Sequence, residues 1–265
     1  MKMRILISVI ALTIISCNNQ EETITTSANL ASTQTETTVH PKSQRNKEIC
    51  WTGTLNGKIP IFIHYQVDGN ILVGEITYLN TRDKQPIKLL GTIEAGKSYR
   101  LLEFDIAGNI TGVIEGTPSE KEFNGSWFSP KTQKELEMKL LPNDTLIASP
   151  SIKADPDQSF GEYHYQYGED GYSGKLAFNK AGDGKAVFDI LSLTNVERGP
   201  NIAEVEKDTI AFSSDSFIYK IPDSDSCEFK VAFYKGFAYI NYTKNYCVGQ
   251  FGLNATIDGI YLKTK

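Results

Sequence analysis

From residue 59 to 67 the chain reads Ile-Pro-Ile-Phe-Ile-His-Tyr-Gln-Val, apolar at nearly every odd position and mixed at the even ones. A period of two sends alternate side chains to opposite faces, so the stretch predicts a half-buried β-strand. Asp68-Gly69-Asn70 supplies a turn, and residues 71–79 return as the second strand of a hairpin. The pattern repeats at 87–93, 99–104, 110–116, 123–128 and 136–141, with a first strand opening at Cys50 and Trp51. That spacing is typical of sandwiches and barrels. Gly74, Gly112 and Gly125 fall inside strands, where a missing side chain permits a bend or close approach. Recurrent in-strand glycine suits a closed, strongly curved meander.

Around Leu141-Pro142-Asn143-Asp144 the alternation stops, and the stretch to Gln158 carries prolines among small and acidic residues, the composition of a linker. A second series starts at Phe160 and continues through 172–178, 186–193, 209–212, 217–221, 227–233, 237–242 and 257–261. Neither series leaves room for the long crossovers a parallel sheet needs. The expectation is an all-β chain of two small antiparallel meander barrels, 48–142 and 159–265, joined by a linker over 143–158.

The first 47 residues differ. Met1-Lys2-Met3-Arg4 precedes an apolar run from Ile5 to Ile15, the layout of a signal peptide. Eleven residues span about 16 Å as a helix, roughly half a bilayer core. The run ends Ile14-Ile15-Ser16-Cys17, which resembles the bacterial lipobox. The resemblance implies removal of residues 1–16, diacylation of Cys17 with palmitate-like chains, and a lipid bilayer as the first partner. Buried acyl chains contribute about 0.8 kcal/mol per CH₂, so two or three of them anchor a protein without a spanning helix. Asn18-Asn19-Gln20-Glu21-Glu22 resembles the export signals of Bacteroidetes lipoproteins, which implies the outer membrane, on its periplasmic face or at the cell surface. From there to residue 47 Thr, Ser, Gln and Glu dominate without an apolar period, predicting a disordered stalk.

A net charge of −5 with scattered Lys and Arg argues against a nucleic-acid groove. In an oxidising compartment disulfides persist. Cys227 and Cys247 flank a predicted hairpin and are expected to pair, leaving Cys50 as a buried small hydrophobe or a lone thiol. His64 and His164 lie on strands of different series, and His40 in the stalk. None has metal-ligand spacing, and neither a nucleophile elbow nor a phosphate-cradling glycine loop is present. No cofactor, metal or catalytic residue is expected from these motifs. Glu75, Glu103 and Glu115 fall at mid-strand and would suit general acid-base work if they faced a barrel interior.

Two further resemblances involve the β-series. Cys227-Glu-Phe-Lys-Val-Ala-Phe, Cys247, and Phe251-Gly252-Leu253-Asn254-Ala255-Thr256-Ile257-Asp258-Gly259-Ile260-Tyr261 resemble the C-terminal β-domain of bacterial envelope proteins that also carry an LprI-type lysozyme-inhibitor module. Here Leu253 replaces the usual His, and no cysteine-rich module precedes. The same residues suit structural roles, with Gly252 and Gly259 at bends and Tyr261 in a core. The first series, from Trp51-Thr52-Gly53 to Gly125-Ser126-Trp127, resembles lipocalin-like and avidin-like (calycin-like) barrels. Such barrels hold one small ligand or are filled by side chains; Trp51, Trp127 and Tyr78 are the candidate ligand-binding residues and suit a closed core equally. Asp144-Thr145-Leu146 resembles a Bacteroidetes O-glycosylation acceptor, as does Asp208-Thr209-Ile210. The functional expectation is a membrane-anchored, non-catalytic binding module for a glycan, peptide or other envelope component. The alternatives are an inhibitor of lysozyme or another hydrolase, and a carboxylate-based barrel enzyme.

Overall fold

The computed structural model describes residues 47–194, 199–224, 226–244 and 247–265. The expected leader, Cys17 and nearly all of the expected stalk lie outside the described residues. The first series forms strands β1 (Ile49–Leu55), β2 (Ile59–Asp68), β3 (Ile71–Tyr78), β4 (Ile87–Ile93), β5 (Tyr99–Phe104), β6 (Asn109–Pro118), β7 (Phe123–Ser129) and β8 (Lys134–Pro142). Each pairs antiparallel with the next, and β8 pairs back on β1 (Thr52 opposite Leu141, Thr54 opposite Lys139). The result is a closed eight-stranded barrel, filled by Trp51, Ile61, Ile63, Tyr65, Ile76, Leu101, Ile114, Phe123 and Met138 among others.

The second series forms β9 (Gly161–Tyr167), β10 (Ser173–Gly182), β11 (Lys185–Leu193), β12 (Ile202–Ala211), β13 (Ser216–Lys220), β14 (Glu228–Tyr234), β15 (Phe237–Lys244) and β16 (Gly259–Lys263). Their order is β12-β11-β10-β9-β16-β15-β14-β13, all antiparallel. The sheet curls until its two ends face one another through side chains: the Tyr219 hydroxyl of β13 donates to Asp208 of β12 at 2.6 Å, and Phe217 meets Phe188 at 5.0 Å. Its interior is aromatic, with Phe178 against Phe233 at 4.5 Å and against Phe212 at 4.8 Å. The expected Cys227–Cys247 disulfide is present, and both cysteines are buried in this core.

The two series share one sheet. Asn109 and Ile110 of β6 pair in parallel with Gln166 and Tyr167 of β9, a junction that the alternation did not predict. The outer faces of β3 to β6 carry Ile71, Leu90, Leu102, Phe104, Ile110 and Val113, which join the apolar cluster of the second series. The described strands accordingly belong to one compact unit. The segment expected as a linker is a strap tied down at both ends. Glu48 donates to Ile147 O at 3.0 Å, Asn143 to Cys50 O at 2.9 Å, Gln66 Nε2 to Pro150 O at 3.0 Å, and Lys235 to Ile152 O at 2.8 Å.

Candidate binding cleft

The interior of the closed barrel holds the nominated aromatics. Trp51 is 4% exposed; its indole N–H donates to the Tyr65 hydroxyl at 3.0 Å and its ring meets Phe123 edge-on. Tyr78 and Trp127 converge on Glu103, which is 3% exposed. The Tyr78 hydroxyl donates to Glu103 Oε2 at 2.8 Å, the Trp127 indole N–H to the same oxygen at 3.2 Å, and Thr111 Oγ1 to Oε1 at 2.7 Å. Burial and the facing carboxylate push the Tyr78 phenol far above its ordinary pKa, so it stays a neutral donor. Gly112 makes this possible: a Cβ there would lie 2.3 Å from the Trp127 indole nitrogen. Three donors compensate the burial of one carboxylate.

The other two mid-strand carboxylates are outside the barrel, which corrects the idea that the three share an interior. In β3 the inward positions are Leu72, Gly74, Ile76 and Tyr78, so Glu75 points outward and meets His64 Nε2 at 3.5 Å. Glu115 lies between inward Ile114 and Gly116 and pairs with Arg100 on the surface. His64 also contacts Glu48 through Nδ1. His164 Nδ1 donates to Gly174 O at 3.0 Å. Cys50 is buried, its thiol donating to Thr145 O at 3.3 Å. Thr145 is exposed on the strap, with its hydroxyl turned to Asn143. Of the C-terminal motif, Tyr261 is fully buried and donates to Ile257 O at 2.7 Å, while Leu253 is exposed at a loop tip. Among the described residues no cluster of three or more His, Cys, Asp or Glu side chains is placed to hold a metal ion.

A large concavity lies elsewhere: a cleft of about 1520 Å³ where the two series face one another. One wall is built by two hairpin turns, 130–133 and 168–172. Gly168, at φ +62°, packs on Pro130, and Lys131 Nζ bridges to Glu169 at 3.2 Å. The floor is Leu102, Phe128 and Arg100 from the first barrel with Tyr165 and Tyr167 of β9. The opposite wall is Tyr239, Asn241 and Tyr242 of β15 with Thr256 and Asp258.

Five tyrosines face this space. Tyr165 and Tyr167 meet edge-to-face at 5.9 Å. Tyr165 is locked by Ser192 Oγ at 2.9 Å, and Gly174, its cross-strand neighbour, has no Cβ because one would lie 2.3 Å from the ring. Tyr242 shares a 2.8 Å hydrogen bond with Thr256, whose hydroxyl also reaches Asp258. Tyr172 is 47% exposed at the rim. Burial raises Tyr165 to about 12 and also raises Tyr239 and Tyr242, so these phenols remain neutral donors and acceptors at physiological pH. At Arg100 burial opposes the charge, but Tyr167, Glu115 and Glu94 outweigh it and hold the guanidinium protonated.

None of Trp51, Trp127 or Tyr78 lines the cleft, and none of its five tyrosines was singled out from the sequence. One signal was available: Glu162-Tyr-His-Tyr-Gln-Tyr167 puts three tyrosines on one strand face. No protein-family model, curated protein or solved structure matches the chain significantly.

Proposed function

We propose that this chain is an exported lipoprotein, anchored through acyl chains on Cys17, that works as a non-catalytic binding module with its ligand in the tyrosine-lined cleft. The observation that carries the binding reading is the cleft itself: a large concavity whose rigid aromatic faces are interspersed with amide, hydroxyl and guanidinium groups. Ligand sites combine apolar and aromatic walls with a few oriented polar groups, and tyrosine offers broad amphipathic area at little cost in side-chain entropy. The leader and Cys17 support the anchoring half of the reading.

Two measurements test it. Alkyne-palmitate fed to the producing cells is expected to label the full chain and not Cys17→Ser, which leaves the membrane fraction; equal labelling of both removes the anchor from the proposal. A thermal-shift screen of the full chain in detergent against envelope glycans, peptides and lysozyme is expected to yield a ligand whose stabilisation disappears in Tyr172→Ala. A ligand whose shift is indifferent to that change, and to Tyr239→Ala, moves the site away from the cleft.

A further inference from the structure

We infer that the cleft takes a neutral oligosaccharide chain; this deepens the binding-module reading and rests on it. Size comes first. At about 1520 Å³ the cleft exceeds the roughly 300–1,000 Å³ of a site for one small molecule, which favours a chain of several units.

Charge then narrows the class. The lining cations are Arg100, Lys131 and Lys244, against Glu94, Glu169, Asp170 and Asp258. Each cation already faces a carboxylate: Arg100 pairs with Glu115, Lys131 with Glu169 at 3.2 Å and Lys244 with Glu228 at 3.0 Å. A polyanion needs a surplus of unpaired positive charge, and a polycation needs the reverse. The three lining cations are all paired, two of them with Glu115 and Glu228 outside the lining, while the lining carboxylates Glu94 and Asp258 already accept the Thr92 and Thr256 hydroxyls; that arrangement suits an uncharged polymer.

Backbone supply gives little length to the commonest mode for an extended peptide. Peptides that add to a sheet need an open strand edge. The lining residues of β4, β5, β7 and β9 lie on strands paired on both sides, and the unpaired strand edge among the lining residues is short: residues 241–244 of β15, which pair with β14 alone, and Gly259 and Ile260 of β16, which pair with β15 alone. The free ends of the sheet, β12 and β13, contribute no lining residue.

What the cleft does offer is side-chain chemistry for a pyranose. A sugar ring presents a face of C–H bonds, which packs on the apolar face of a phenol, and a rim of hydroxyls, which both donate and accept. Tyr167, Tyr172 and Tyr239 supply faces; Asn241, Asp258 and Arg100 supply the complementary acceptors and donors. Neutral hexose chains and N-acetylhexosamine chains share this chemistry, and the test separates them.

The test is calorimetric titration of the full chain in detergent micelles with hexasaccharides of glucose, mannose and N-acetylglucosamine, with hexagalacturonate, and with a mixed-sequence peptide library. At least one neutral hexasaccharide is expected to bind, at least tenfold more tightly than its monosaccharide, with affinity nearly constant between 50 and 500 mM salt, as uncharged contacts predict. Tyr172→Ala, at an exposed rim position, is expected to weaken it about tenfold, and Tyr239→Ala more, while Tyr239→Phe keeps most of it. Hexagalacturonate or peptide binding that these tyrosine changes abolish, with the neutral sugars silent, overturns the saccharide assignment and leaves the cleft as a binding site. Silence from every neutral sugar with no cleft-dependent ligand of any class overturns both.

Discussion

The Glu103 carboxylate is the one acidic side chain buried in the closed barrel's interior among the described residues, and it is held by three side-chain donors. Glu103→Ala would strand the Tyr78 hydroxyl, the Trp127 indole N–H and the Thr111 hydroxyl, and a buried donor without a partner costs about 1–3 kcal/mol. The expected loss is about 3 kcal/mol or more, read as a lower urea midpoint with Trp127 fluorescence changed in the native baseline. His164 provides a pH dependence. Burial lowers its pKa below the ordinary 6.5, Lys175 adds to this, and the hydrogen bond to Gly174 with the nearby Asp105 opposes it. The unfolded chain then binds the proton more readily than the folded one. Its contribution is complete above about pH 6.5 and declines as pH falls toward the lower, folded pKa. His164→Gln should flatten the stability profile between pH 7 and 5; an unchanged slope there would remove His164 as its source. At this scale sequence gives residue type but not facing: Glu75, Glu103 and Glu115 look alike along the chain, and only Glu103 turns inward.

At the scale of the strand, alternation was legible almost throughout, because a half-buried strand has to place its apolar residues at every second position. Two elements escaped. In β12, residues 202–208 were missed because the inward positions are the small Ala203 and Val205, set among Glu204, Glu206 and Lys207. The other was the two-sided burial of β3 to β6. Ile71-Leu72, Leu89-Leu90, Leu101-Leu102 and Val113-Ile114 are adjacent pairs in which one member enters the barrel and the other the neighbouring cluster. Such doublets are what a strand covered on both faces requires. The hairpin tether is the strongest local prediction. The Cys227–Cys247 bridge spans 20 residues, so its loss through Cys227→Ser with Cys247→Ser should cost about 3 kcal/mol on the chain-entropy account, visible as a matching fall in Tm and mimicked by reductant.

For the molecule as a whole, the apolar cluster that runs from the outer face of β3–β6 into the second series makes the two halves thermodynamic partners. Both tryptophans, Trp51 and Trp127, lie in the closed barrel, so their fluorescence follows that half alone. Far-UV circular dichroism follows every strand. The two probes are expected to trace one coincident thermal transition, the signature of two-state unfolding; an earlier tryptophan transition would mean that the halves melt apart. Phe104→Ala, at the shared boundary, should lower that single Tm by the equivalent of about 3–5 kcal/mol. The candidate site belongs to this scale as well. Its tyrosines come from β9, β15 and the 168–172 turn and are brought against the first barrel by the shared apolar cluster and the parallel β6–β9 junction, long-range contacts that no local period encodes.

The strap over Cys50 has a kinetic meaning. Cys50 is 4% exposed beneath residues 143–147, and burial with the adjacent Glu48 raises its thiol pKa. A reagent reaches that sulfur when the strap peels away, so the alkylation half-life of the native protein becomes a stopwatch for how often residues 143–147 lift from β1.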